Sequence, residues 1–181
     1  MSQFRKHLKY GLIHKLRWQI NRSKLGRLGK RVHIDKRVEF MRFPKNIHVG
    51  EEVVFKEGAR ICACNRDAEI RIGSRTTIGY HTFIFASDGI QIGDDCLIAP
   101  FVYLVDSNHQ IKRESLINQQ ANETAPIVVG KGVWIGSNVT VLKGVTIGDG
   151  AVIAANSLVN KSIPPFEVWG GTPAKKINER Q

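Results

Sequence analysis

Between Val128 and Val159 an aliphatic residue recurs at every sixth position: Val129, Ile135, Val141, Ile147, Ile153 and Val159. That spacing matches neither the 3.6-residue period of an α-helix nor the two-residue alternation of a strand. It predicts a coil whose sides are about six residues long, each turning one aliphatic residue inward and leaving small or polar residues at the corners. Glycine follows the inward residue at Gly130, Gly136 and Gly148, where a sharp corner needs a residue without a Cβ. A meander of short antiparallel strands would show two-residue alternation and turns of unequal length. The uniform spacing over 32 residues points instead to a β-solenoid.

The same phase continues upstream with interruptions. It reads Val32 and Val38, then Val49, Phe55 and Ile61, then Ile72, Ile78 and Ile84, then Ile92, Ile98 and Leu104. A gap of eleven between Ile61 and Ile72 places a bulge around Asn65 to Ala68, and two extra residues fall near Asp88-Gly89. The largest break runs 25 residues from Leu104 to Val129, six for the repeat and about nineteen for an extruded loop over about 106–125. That loop opens Asp106-Ser107-Asn108-His109, and a long loop in so regular a chain is a functional candidate. The β-helix domain is therefore expected over 31–163, and the tail 164–181 as a bend with a short terminal segment. Ahead of it lies a basic helical segment, 1–30. Phe4, Leu8, Leu12, Leu16 and Ile20 repeat every four positions, the stripe of an amphipathic helix over 3–22.

Charge sharpens the reading of that segment. The net charge is +11, and residues 1–37 carry twelve Lys and Arg against Asp35 alone, so the whole excess is N-terminal. Two readings of the helix are compatible: its stripe caps the open first coil, or it lies on anionic lipid, each nearby cation contributing about 1 kcal/mol. A nucleic-acid arm is disfavoured, because Trp18 is the segment's one aromatic besides Phe4 and Tyr10 and no recognition motif is present. The three cysteines (Cys62, Cys64, Cys96) form no disulfide framework and no paired metal motif, which indicates a reducing, cytoplasmic setting. No signal peptide and no bilayer-length apolar run are evident, so the expectation is a cytoplasmic protein, soluble or peripheral at the inner face of the membrane.

His109 is the candidate general base, since an imidazole titrates near neutrality and can accept a hydroxyl proton. Ile92-Gly93-Asp94-Asp95-Cys96-Leu97-Ile98-Ala99-Pro100, then His109, then Val133-Trp134-Ile135-Gly136-Ser137, then Gly171-Thr172-Pro173-Ala174 follow in order. This series resembles the galactoside and maltose acetyltransferase branch of the hexapeptide-repeat acyltransferases, over roughly 45–178. The resemblance implies an all-β fold, a left-handed parallel β-helix. It also implies a homotrimer with active sites between neighbouring prisms, and direct transfer from acetyl-CoA with His109 as base. It places coenzyme contacts at Trp134, Ser137, Ala155, Asn160, Lys161 and Lys175. Lys175 stands where the branch often has arginine, and lysine lacks the bidentate fork. No metal is expected.

Asp106, Glu114 or a backbone carbonyl are the candidates to orient His109. Ser87 stands where sugar acetyltransferases of the branch carry an acidic residue, with Asp88 beside it; Tyr80, His81 and Phe83 are further candidates to line the acceptor groove. That departure points to a saccharide acceptor on a nucleotide or lipid carrier, in cell-surface polysaccharide or glycoconjugate biosynthesis. N-acetylation of an amino sugar and a non-catalytic β-helix binding module are the alternatives. A carbonic-anhydrase-type hydratase needs three convergent histidines, and within the regular region only His81 and His109 sit at plausible places for them.

Overall fold

A computed structural model describes Leu8 and residues 10–181. The chain winds through six three-sided coils, and like sides stack into three parallel sheets. The first sheet comprises Arg27–Leu28, Ile47–Val49, Glu69–Ile72, Gly89–Ile92, Ile127–Val129 and Thr146–Ile147. The second begins at His33–Ile34 and descends through Val54–Phe55, Thr77–Ile78, Leu97–Ile98, Trp134–Ile135 and Val152–Ile153. The third runs from Glu39–Arg42 through Arg60–Ala63, Phe83–Ala86, Tyr103–Val105 and Thr140–Val141 to Leu158–Val159.

Every residue of the hexad from Val129 to Val159 is at most 2% exposed, so the period reads out the core directly. Each side turns two residues inward rather than the single one expected. Val133, Val139, Val145 and Ala151, two positions before the hexad residues, are also buried. This corrects the phase of the first coil. Leu28, Ile34 and Phe40 pair in register with Val49, Phe55 and Ile61, whereas Val32 and Val38 hold the preceding inward position. Cys96 sits in that same inward column, which explains an inert thiol in the core.

The corner glycines act by close approach. A Cβ on Gly130 would stand 2.3 Å from Asp149 Oδ1, and one on Gly136 only 2.6 Å from Ala155 N of the coil below. The left-handed residue comes two positions later, at Gly132 (φ 63°), Asn138 (60°) and Asn156 (59°). Four residues join the first sheet to the second in every coil, and four join the second to the third. The connections from the third sheet back to the first vary instead, from two residues (Ser87 and Asp88) to the 21 between Val105 and Ile127.

The N-terminal helix differs from expectation in extent and in facing. It spans Leu12–Lys24, here α1, with Gly11 extended at its N-cap (φ −78°, ψ 176°). Leu8 and Tyr10 are not helical, and the remainder of the expected helix, 3–7 and Lys9, lies outside the described residues. Glycine is a poor helix residue, and the Tyr10 hydroxyl donates to Arg31 O at 2.7 Å, which ties the preceding segment to the first coil. The face that packs on that coil is His14, Arg17, Trp18 and Asn21, not the leucine stripe. Trp18 Nε1 donates to Gly29 O at 2.8 Å and Arg17 to Ile34 O at 3.3 Å. An open coil presents unpaired carbonyls, so donors outcompete leucines for the contact. Leu12, Leu16 and Ile20 consequently face solvent, at 84%, 62% and 45% exposure.

The tail also departs from a simple bend. Glu167–Gly171 adds to the second sheet alongside Val152–Ile153 and folds back antiparallel onto Ala174–Glu179, so sheet structure continues beyond 163. The extruded loop contains its own hairpin, with Ser107–His109 antiparallel to Asn122–Thr124. Among the described residues no helix is long and apolar enough to cross a membrane.

Candidate functional site

Two edges flank the third sheet and divide the candidate residues between them. On the edge between the second and third sheets, Tyr80, Ser137 and Ala155 fall into one column, with His81 in the column beside it. Phe101 N–H donates to Tyr80 O at 2.8 Å, Asn138 N–H to Pro100 O at 3.0 Å and Asn156 N–H to Ser137 O at 2.9 Å, which locks successive corners in register. His81 adopts φ 54° and stacks on Phe101 with ring centroids 5.4 Å apart, so its ring lies along the edge. The turn that precedes Lys175 closes the foot of this column: Thr172 Oγ1 donates to Asn156 O at 3.2 Å, and Gly171 N–H to Ser157 Oγ at 3.0 Å. Trp134, 53% exposed on the adjoining strand, lines an apolar groove of about 460 Å³ with Tyr80, Leu97 and Pro100. Lys56 Nζ lies 5.8 Å from the Tyr80 ring at its rim.

The edge between the third and first sheets carries Ser87, Asp88, His109, Asn160 and Lys161. Asp106 organises it. Buried at 0% exposure, it accepts N–H bonds from Ser87 at 2.6 Å and from Asp88 and Gly89 at 2.8 Å each. Burial pushes its carboxyl above the ordinary value, while the three N–H donors pull it back. Asp106 is therefore a fastener of the corner and not the group that orients His109. Ser87 Oγ extends the network, 3.1 Å from Ser107 Oγ and 3.2 Å from Cys64 Sγ. The hairpin beyond stands outward, with Lys143 Nζ 3.5 Å from Glu123 Oε2 at its base.

His109 is exposed at the hairpin's outer end, opposite Asn122. Its imidazole makes no hydrogen bond or ion pair with the described residues, Glu114 included. Around it lie Ser115, Leu116, Ile117 and Asn118 of its own loop. Within one chain the third sheet separates His109 from the Ser137 column. Phe83 lies on that sheet, half-buried and stacked on Tyr103 at 5.6 Å. Burial, with Asp106 nearby, holds the Tyr103 phenol above its usual range. Sequence reasoning missed Tyr103 and Phe85, which complete this aromatic face; their outward alternation on the strands was the available signal. The buried thiols Cys62 and Cys96 are pushed up by desolvation, which leaves them inert.

Two stretches of the chain match family models, residues 126–161 a bacterial transferase hexapeptide (six repeats) and residues 69–104 a hexapeptide repeat of succinyl-transferase. The galactoside O-acetyltransferase of Escherichia coli (strain K12) is 35% identical over 164 residues, 91% of this chain and 75% of that protein. WbbJ of the same strain, assigned as a lipopolysaccharide biosynthesis O-acetyl transferase, is 34% identical over 148 residues, 77% of this chain and 75% of that protein. Among solved structures, the hexapeptide-repeat acetyltransferase VCA0836 of Vibrio cholerae O1 biovar eltor, complexed with acetyl coenzyme A, superposes with a TM-score of 0.70. It is 29% identical and covers 95% of this chain and 80% of its own. A point mutant of AntD, an N-acyltransferase of Bacillus cereus, crystallised with dTDP-4-amino-4,6-dideoxyglucose and coenzyme A, shares the fold at a TM-score of 0.79 and 22% identity, covering 90% of this chain and 88% of its own. Coil geometry, repeat phase and identity over most of the chain agree, and the chain belongs to the hexapeptide-repeat acetyltransferases.

Proposed function

We propose that the protein is an acetyl-CoA-dependent O-acetyltransferase acting on a sugar hydroxyl in cell-surface polysaccharide or glycoconjugate biosynthesis, with His109 as general base. The observation that carries this reading is the hairpin, which holds an exposed imidazole at one edge of the third sheet while the Ser137 and Ala155 column lies at the other. In a homotrimer the His109 edge of one prism meets the Ser137 edge of the next. The thioester then lies along Ser137 and Ala155, with Trp134 beside it and Lys161 and Lys175 as cations for the coenzyme's phosphates; Asn160 supplies a polar contact. Ser87, Asp88, Tyr80, His81 and Phe83 line the acceptor side.

The chemistry requires one proton relay. The acceptor oxygen attacks the thioester carbonyl as its proton passes to His109. The tetrahedral intermediate collapses with loss of the coenzyme A thiolate, which takes the proton back from the imidazolium. Another copy or a bound substrate supplies the group that orients the ring. A mass-spectrometric screen of nucleotide sugars, lipid-linked glycans and free sugars with acetyl-CoA tests this. Undiminished transfer by His109→Ala to a good acceptor would exclude the proposed base.

A second reading is N-acetylation of an amino sugar, favoured by the fold shared with AntD. The same base serves an amine, and the linkage in the product decides. At the membrane, the exposed Leu12, Ile13, Leu16 and Ile20 beside Lys15, Arg22 and Lys24 support peripheral contact with anionic lipid on the cytoplasmic face. Co-sedimentation with phosphatidylserine vesicles, abolished by Leu16→Glu, is the expected result; no co-sedimentation would remove this arm.

A further inference from the structure

We propose that His14, His33 and Asp35 form a binding site for one divalent transition metal of the zinc type, which clamps α1 onto the first coil. Helix and coil contribute separately, and the residues lie apart in sequence with no metal-binding spacing. His33 and Asp35 are two positions apart on an extended segment, so both project to the same face. His14 reaches that face from α1, in the stripe it shares with Arg17, Trp18 and Asn21.

Two ring nitrogens converge on one carboxylate oxygen. His33 Nε2 lies 2.9 Å from Asp35 Oδ1, a hydrogen bond, and His14 Nε2 lies 3.9 Å from the same oxygen, too far for one. The imidazoles stack with centroids 4.0 Å apart, and the Tyr10 ring stands edge-on to His33 at 5.5 Å. Zinc bonds of about 2.0–2.2 Å set neighbouring ligand atoms roughly 3–3.4 Å apart. Closing the long contact and opening the short one, each by about half an ångström, brings both nitrogens to that spacing from the carboxylate oxygen, and all three ligand atoms already lie within 4.8 Å of one another. His14 supplies the movement: its side chain is 23% exposed and rides on a helix held by other residues.

A hydrogen-bonded structural cluster is a poorer account of this arrangement. Both Nδ1 atoms, of His14 and His33, are shielded from solvent and have no partner, although His33 is only 4% exposed. Among the described residues, hydrogen bonding serves one of the four ring nitrogens, His33 Nε2, and a metal shared by the two Nε2 atoms would also give His14 a partner. Two imidazole nitrogens and one carboxylate oxygen suit Zn²⁺, Co²⁺ or Ni²⁺ over Mg²⁺ or Ca²⁺, which prefer all-oxygen shells. A groove lined by Tyr10, Trp18 and Val32 adjoins His14 and gives the cluster access to solvent.

Titration of the metal-free full chain with Co²⁺, followed by visible absorption and competed with Zn²⁺, tests the site. One equivalent per chain is expected, with the bands of a four- or five-coordinate ion and displacement by Zn²⁺. His14→Ala, on the outer helix and outside the solenoid core, should weaken binding at least tenfold, and Asp35→Asn likewise. Zn²⁺ should raise the melting temperature of the wild type and leave that of His14→Ala unmoved. His48→Gln, whose ring pairs with Glu69 elsewhere on the surface, should bind as the wild type does. Absence of Co²⁺ binding, or equal affinity in the wild type and His14→Ala, overturns the proposal.

Discussion

Removing the Asp106 carboxylate should destabilise the protein more than any other single polar substitution at the candidate site. Its two oxygens hold three backbone N–H groups at 2.6, 2.8 and 2.8 Å in a position with no exposed surface. Hydrogen bonds to a charged group contribute about 1.5–3 kcal/mol each, so three at the low end give about 4.5 kcal/mol. Desolvation of the ion, which raises its carboxyl pKa, offsets these bonds, so the cost of Asp106→Ala is that of leaving three backbone N–H groups without a partner, about 3–4 kcal/mol. Asp106→Asn can keep the bonds of Asp88 and Gly89, which share Oδ2, but sets its amide against the Ser87 N–H. Its cost should be about half. Urea unfolding at fixed chain concentration, which holds any assembly constant, measures both. With m near 2 kcal/mol/M the alanine variant loses roughly 1.5–2 M in midpoint. An alanine variant within about 0.3 M of wild type would refute the reasoning, since the N–H groups would then have found water or other partners.

Further expectations separate the other ideas. His109→Ala should lower kcat by about 10²–10⁴-fold while the affinity for acetyl-CoA, read by calorimetry, stays within a factor of about two. Native-state alkylation should label Cys64 alone, since Cys62 and Cys96 are buried with raised thiol pKa values; intact-mass analysis showing three fast adducts would contradict this. Gly136→Ala should cost several kcal/mol, because its Cβ meets the backbone 2.6 Å away. Gly132→Asn should fall within about 1 kcal/mol of wild type, since asparagine already occupies the equivalent left-handed corners at Asn138 and Asn156. Thermal melts of the pair distinguish steric collision from backbone strain.

The solenoid was legible because each side repeats one demand, an aliphatic residue facing a shared interior, and a period of six leaves no competing assignment. The phase of the first coil was misread because Val32 and Val38 satisfy a second inward position that the hexad alone does not distinguish. The facing of α1 was illegible for a different reason. Periodicity marks Leu12, Leu16 and Ile20, but the partner surface is a row of backbone carbonyls, which no side-chain pattern announces. Asp106 looked like a neighbour for His109 because two residues separate them; the corner turns its carboxylate inward and the hairpin carries the imidazole away. The placement of Ser137 and His109 on opposite edges needed the winding itself, since sequence order says nothing about which edge a corner occupies.

The unequal connections set out where this architecture can change. Twelve turns of fixed length carry the winding register, and any residue added to one would throw every later strand out of phase. The remaining corner has already absorbed segments of two, four, five and 21 residues without disturbing the stack. Segments of new length can thus be grafted there without unwinding the stack, provided that an exchange of the 21-residue excursion carries His109 with it.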